Sequence, residues 1–401
     1  MKLWGEIEVA QKKIQKAILR TPTIYSDTLS ELTDKEVFLK LENLQKTGSF
    51  KIRGAYYKLS QLTPSMRKKG VVAASAGNHA QGVAWASSLL GIHSTIVMPE
   101  GVSLAKQMAT QSYGGEIVLF GQNTDEALHY AKKLTEDGKF FVHPFDDEQV
   151  IAGQGTIGLE ILEEVPEVEA MIIPIGGGGL ISGIATIVKK RRPGVKIVGV
   201  QSVHAPSAFY SLKRKKIVEV KVKPTLADGI AIRRVGEITF PIIQRGVDEI
   251  VAVNEDEIAS AILTLMERKR MVAEGAGAVP LAALLSRRLK TRSKKVVLVI
   301  SGGNIDVHLL DRIIEKGLAQ TGRLVRFSIL LRDVPGALSK LTSLVAQHRA
   351  NILHIIHERA AKDIPIGFSK VVLVLETRGP DHIREIKKGL QEKGYALQML
   401  S

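Results

Sequence analysis

Lys46-Thr47-Gly48-Ser49-Phe50-Lys51-Ile52-Arg53-Gly54-Ala55 reads as a turn running into a helix, with Ser49 as N-cap and the helix continuing to about Leu62. Lys51 then falls in the first turn, where the backbone dipole is positive and a cation costs roughly 0.3–1 kcal/mol. Phe50 and Ile52 flank it, so field and apolar neighbours together lower the lysine pKa and favour the neutral amine. A neutral amine is a nucleophile that can form an imine with an aldehyde. A solvated lysine among 56 basic residues is the ordinary alternative; position and neighbours set Lys51 apart.

At 401 residues the chain has room for two or three domains. Hydrophobic residues at 45% and charged residues at 24% are ordinary for a globular protein. No apolar run reaches the ~18 residues of a membrane helix. Met1-Lys2-Leu3-Trp4-Gly5-Glu6 lacks a signal-peptide core, so a cytoplasmic location is expected. The absence of cysteine excludes disulfides and thiolate metal sites. A net charge of +15 would suit nucleic acid, but the basic residues are spread along the chain. Their tightest cluster, Lys213-Arg214-Lys215-Lys216, has no interleaved aromatics, and neither a nucleic-acid nor a membrane partner is expected.

From about residue 36 to 305, short β-branched runs alternate with helical stretches. Gly70–Ala74, Ser94–Met98, Glu116–Phe120, Ala170–Ile175, Lys196–Val200 and Lys295–Ile300 are expected strands; His79–Leu90 and Asp125–Glu136 are expected helices. The pattern is that of an α/β protein with parallel sheets covered by helices, here in two lobes with a cleft between them. Leu318–Arg323 reads as a linker. Beyond it, strands at Leu324–Leu331, Asn351–Glu358, Gly367–Glu376 and Tyr395–Leu400 alternate with helices at Gly336–His348 and Asp381–Lys393, the βαββαβ order of a ferredoxin-like module.

Three glycine turns follow strand candidates. Ser75-Ala76-Gly77-Asn78-His79-Ala80-Gln81-Gly82 offers backbone amides that can bind a carboxylate, and an Asn78 amide that can reach a phenolate; alone it is a turn with a cap. Gly176-Gly177-Gly178-Gly179-Leu180 costs backbone entropy and belongs where the main chain closely approaches a ligand such as phosphate. It fits neither the dinucleotide fingerprint nor the P-loop. Ser301-Gly302-Gly303-Asn304 places a hydroxyl at the carboxyl end of a central strand, where open α/β sheets bind ligands.

Together, Lys40–Ala55, Ser75–His79, the tetraglycine and Ser301–Asn304 resemble the fold-type II pyridoxal-phosphate enzymes (tryptophan synthase β-like), and among them the threonine dehydratases, or threonine ammonia-lyases, over roughly residues 5–320. Asp333-Val334-Pro335-Gly336-Ala337-Leu338 and Ala350-Asn351-Ile352 resemble an ACT domain. The resemblance implies a large cofactor-binding lobe at 1–45 and 146–318, a small lobe at 46–145, a linker at 319–323 and a regulatory module at 324–401. It makes Lys51 the Schiff-base lysine of pyridoxal 5'-phosphate, with Phe50 on the ring and Asn78 on the ring hydroxyl. Gly176, Gly177, Gly178, Gly179 and Leu180 would surround the phosphate, and Ser301 would meet the pyridine nitrogen. Ser75, Ala76, Gly77, Asn78 and His79 would hold the substrate carboxylate. Glu274 takes a weaker place near the ring.

The implied chemistry is a lyase reaction. The cofactor serves as electron sink while the protein orients it, Lys51 removes the Cα proton, and the β-hydroxyl leaves. Threonine would give 2-oxobutanoate and ammonia; serine would give pyruvate. Serine racemases, which share the pattern, carry a serine on the opposite face where this chain has Ala76. Their acidic cation ligands match Gln201 and Ser207, so no metal is expected. His354 and His357 fall on opposite sides of a strand. Threonine synthases, β-replacement synthases and a non-catalytic amino-acid sensor are the rivals. The ACT resemblance implies isoleucine biosynthesis, with isoleucine or valine as effector and Asp333, Pro335, Gly336, Ala337, Leu338, Asn351 and Ile352 around it. AMP, used by some relatives, is a further candidate. A homotetramer is implied likewise.

Overall fold

The computed structural model describes residues 2–400 and divides between Ile305 and Asp306 into two compact units. Among the described residues, fourteen strands are distributed among three sheets. In the first unit these are β1 (Thr23–Tyr25), β2 (Glu36–Leu41), β3 (Val71–Ala74), β4 (Ser94–Met98), β5 (Glu116–Leu119), β6 (Phe140–Phe141), β7 (Ala170–Pro174), β8 (Lys196–Ser202), β9 (Glu249–Val253) and β10 (Lys295–Ile300). One sheet has the order β1-β2-β10-β7-β8-β9, parallel except for β1. The other, β5-β4-β3-β6, is wholly parallel.

β7 is buried at every residue and β10 at all but its first, the continuous apolar character of strands covered on both faces. Periodicity marked these strands. β1 and β6 escaped it because runs of three and two residues carry too little pattern, and β2 and β9 were likewise not among the expected strands.

The Glu148–Glu164 helix organises the first unit. A Cβ on Gly153 would lie 2.6 Å from Gly54 Cα on the Lys51–Ser60 helix, and one on Gly183 of the Gly179–Arg191 helix would lie 2.6 Å from Gly155 N. Three helices therefore meet backbone to backbone, along seams that admit only hydrogen as a side chain.

In the second unit, β11 (Leu324–Arg332), β12 (Asn351–Glu358), β13 (Phe368–Glu376) and β14 (Leu397–Leu400) form an antiparallel sheet of order β12-β13-β11-β14. Helices Ala337–Gln347 and Pro380–Glu392 complete the βαββαβ order. Phe327, Leu341, Leu373 and Ile386 anchor its core. The linker expected at 319–323 is corrected: helix Val307–Gln320 runs into it, and only the turn around Gly322 (φ 68°) leaves the helix. Leu318 and Ala319 are sound helix formers, so the segment propagates until glycine interrupts it.

Candidate active site

Lys51 is the first residue of its helix, but Ser49 does not cap it. Phe50 occupies the N-cap position, while Ser49 pairs as an isolated bridge with Gly302 and Phe50 N donates to Ser301 O at 3.1 Å. This pairing fixes the Ser49 backbone, and its buried hydroxyl has no partner. The same bonds bring two distant motifs, Ser49–Lys51 and Ser301–Asn304, side by side.

The Lys51 ammonium is half-buried, 5.3 Å from the Phe50 ring centroid, and donates to Pro144 O at 2.8 Å. Burial lowers its pKa to about 8, against the opposing pull of Glu274. The direction agrees with the first-turn argument, although desolvation is its largest cause. Phe145, next to that carbonyl, covers the tetraglycine: a Cβ on Gly177 would overlap its ring, and one on Gly179 would stand 2.9 Å from its carbonyl oxygen. Lys51 and the tetraglycine thus flank a single dipeptide.

Gly178 has φ 100°, a left-handed conformation that favours glycine, and caps the Gly179–Arg191 helix. The first amides of a helix have no intrahelical acceptor and can take an anion. Gly77, at φ −133° and so not left-handed, caps the helix Asn78–Leu89, again without a side-chain bond. Ser75, Ala76 and Asn78 remain partly accessible beside it, whereas His79 is buried with Nε2 against Val142 O at 2.9 Å. Burial lowers that ring to about 3, which leaves it neutral. Only the backbone of His79 is left for an incoming carboxylate.

Asn78 Nδ2 lies 2.9 and 2.8 Å from the two Glu274 oxygens, and Asn304 Nδ2 donates to Asn78 Oδ1 at 2.7 Å. Burial raises the Glu274 carboxyl to about 7, the Asn78 hydrogen bonds working against the shift. Glu274 is therefore more central than its sequence context indicated. Also missed were the Pro144 carbonyl, Phe145 and Asp146; of this segment only Asp147, capping the Glu148–Glu164 helix, had a readable signal.

Asp333, Pro335, Gly336, Ala337 and Leu338 lie beyond the Arg332 end of β11, which pairs with Phe368, and Asp333 is held by Arg359 at 3.0 Å. Asn351 and Ile352 lie at the opposite end of the sheet, with Asn351 opposite Glu376 and Ile352 packed on the core. Eight strand residues, roughly 25 Å, separate the two groups within one copy. His354 is exposed, whereas the Nε2 of His357 is buried without a partner. Gln201 is buried, its Nε2 spent on Ile175 O and its Oε1 on Phe209 N. Among the described residues, no group of three or more His, Asp or Glu could hold a metal ion.

An amine of lowered pKa, an anion-ready glycine cap, an amide donor and a hydroxyl at a strand end are what a phosphorylated aldehyde cofactor requires, and the residues fit it. Residues 14–302 match the family model of pyridoxal-phosphate dependent enzymes, and the chain belongs to that family. Residues 325–391 match the ACT domain. Over 396 residues, 98% of either chain, it is 52% identical to the L-threonine ammonia-lyase of Thermotoga maritima. Among solved structures, the processed form of threonine deaminase isoform 2 from Solanum lycopersicum matches with TM-score 0.74 and 38% identity, covering 78% of this chain and 92% of that one. Maize serine racemase matches with TM-score 0.74 and 35% identity, covering 79% and 98%.

Proposed function

We propose that this chain is a threonine ammonia-lyase, converting L-threonine to 2-oxobutanoate and ammonia, and L-serine to pyruvate and ammonia. The reading rests on Lys51, a half-buried amine of lowered pKa set between the glycine cap and the Asn78–Glu274 pair. When bound, pyridoxal phosphate supplies the electron sink that acidifies the substrate Cα–H. Lys51 would take that proton: with its pKa at about 8, about a tenth of the amine is already neutral at pH 7, several hundred times the fraction of an ordinary lysine. Amides at the start of the Asn78 helix hold the substrate carboxylate. Asn78 would orient the ring hydroxyl, and Ser301, uncharged, would accompany the pyridine nitrogen without fixing a proton there. The β-hydroxyl would leave as water, the proton it gains balancing the one lost from Cα, and the released enamine would be hydrolysed to the 2-oxo acid and ammonia.

Fold likeness does not separate this activity from racemisation, because a racemase matches equally well. Ala76 does: it has no proton to return to the opposite face. Release of 2-oxobutanoate from threonine, with no second substrate, tests the reading. Lys51→Ala should remove both the yellow colour and turnover; a variant at full activity would refute it.

Regulation by an amino acid, with isoleucine as inhibitor and valine as counter-effector, is the accompanying proposal. The separation of Asp333–Leu338 from Asn351–Ile352 favours a site completed by two copies, each giving one group. Assays of threonine and serine with and without isoleucine test it.

A further inference from the structure

We propose that His143 is a positioning residue for Lys51: its Nδ1 fixes the turn whose Pro144 carbonyl holds the free amine. The inference rests on Lys51 being the amine that binds the cofactor.

Two carbonyls of one segment face the site, Val142 O accepting from His79 Nε2 at 2.9 Å and Pro144 O from Lys51 Nζ at 2.8 Å. Upstream, Phe141 is paired with Val72 of β3. Downstream, Asp146 accepts the amides of Glu237, Ile238 and Thr239, and Asp147 those of Gln149 and Val150. Between these anchors the turn is closed by a side chain: His143 Nδ1 accepts from Phe145 N at 3.3 Å and Asp146 N at 2.7 Å.

Pro144 has no N–H, so it can donate no backbone bond of its own to this turn. Two donors on Nδ1 require a lone pair there, which puts the ring proton on Nε2 and leaves the imidazole neutral. Burial agrees, lowering the ring to about 4. Without the Nδ1 acceptor, the 144–145 peptide can turn and take its carbonyl away from Lys51. That carbonyl matters because it accepts an N–H and so directs the amine lone pair away from the loop. Lys51 needs that orientation whenever it is free, both to capture an aldehyde and to exchange a proton with the substrate.

His143→Asn places Oδ1 at the same distance along the side chain as Nδ1 and restores the acceptor. His143→Leu keeps the bulk and removes it. The rate at which cofactor-free, full-length protein captures pyridoxal phosphate is read from the visible band. The α-deuterium isotope effect on kcat is read with threonine. For His143→Leu, capture about tenfold slower and a larger isotope effect are expected, the loss of roughly one hydrogen bond's alignment. His143→Asn should stay within about twofold of wild type, a rescue that general destabilisation would not produce. The inference is overturned if His143→Leu captures at the wild-type rate, or if His143→Asn is equally slow. Should His143→Leu not fold, His143→Gln replaces it, with its acceptor one bond too far and the same outcomes expected. Borohydride reduction and peptide mapping separate the two readings. A label away from Lys51 overturns the cofactor assignment and this inference together; a label on Lys51 with unaltered His143 variants overturns this inference alone.

Discussion

Arg53 grips Glu42 through two hydrogen bonds, Nε to Oε2 and Nη2 to Oε1, each 2.8 Å long, two residues from Lys51. Glu160 takes the opposite edge at 2.6 and 2.9 Å, and Thr156 takes a further donor at 3.1 Å. Lys40, fully buried, adds contacts to Glu160 and Glu164 at 2.7 and 3.2 Å. Arg53 has no exposed surface, and the two carboxylates hold its guanidinium more firmly charged than usual.

Removing one partner from such a cluster leaves an uncompensated buried charge. Arg53→Met should lower unfolding stability by about 3–5 kcal/mol. Urea unfolding of the cofactor-free protein measures this at constant slope; a loss below about 1 kcal/mol would mean the cluster is solvated or self-compensating.

Lys51 and Glu274 set opposite pH dependences. Lys51, lowered from 10.5 to about 8, gives up its proton earlier when folded, so stability rises with pH across that window. Glu274, raised from 4.5 to about 7, keeps its proton longer when folded, so stability falls as pH rises between those values. Lys51→Ala should flatten the upper slope and Glu274→Gln the lower one, in unfolding curves taken at a series of pH values. Two unchanged slopes would contradict the burial of both groups.

Cofactor capture should follow the same amine. Its rate should rise with pH to a midpoint near 8 and then level, whereas an ordinary lysine would still be gaining at pH 10.5. Stopped-flow absorbance across the range decides between them.

Gly177→Ala forces a methyl into the Phe145 ring. Overpacking of this kind costs about 1–3 kcal/mol. Phe145→Ala in the same chain should return part of that loss, and a double-mutant cycle with no coupling would show that the ring yields freely.

Deleting residues 324–401 should leave threonine turnover intact and abolish the response to isoleucine. An effector response that survives the deletion places the sensor in residues 1–323.

Much of the architecture could be read in the chain. β4 and β10 were bounded correctly because Pro99 closes one apolar run and Ser301-Gly302 the other, and the βαββαβ order followed from alternating periodicities. Lys51 was legible because helix position and neighbours act locally. The Ser49 cap was misread because a long-range partner, Gly302, competed for that backbone. Pro144 and His143 gave no signal: a carbonyl is present at every residue, and a histidine lone pair gains meaning only from the turn around it. Glu274 was undervalued because its perturbation comes from burial, and the partner that holds it there, Asn78, lies nearly two hundred positions away.

The glycine seams of the Glu148–Glu164 helix make that helix a gauge block. The element carrying the amine rests on one of its sides at Gly54 and the element carrying the anion cap rests on another at Gly183, both without side-chain slack. On the proposed reading, in which Lys51 meets the aldehyde and the tetraglycine the phosphate, the reach between those two ends is consequently set by the scaffold rather than adjusted by it. A vitamin B6 analogue whose phosphate arm is one methylene longer should be gripped at one end only.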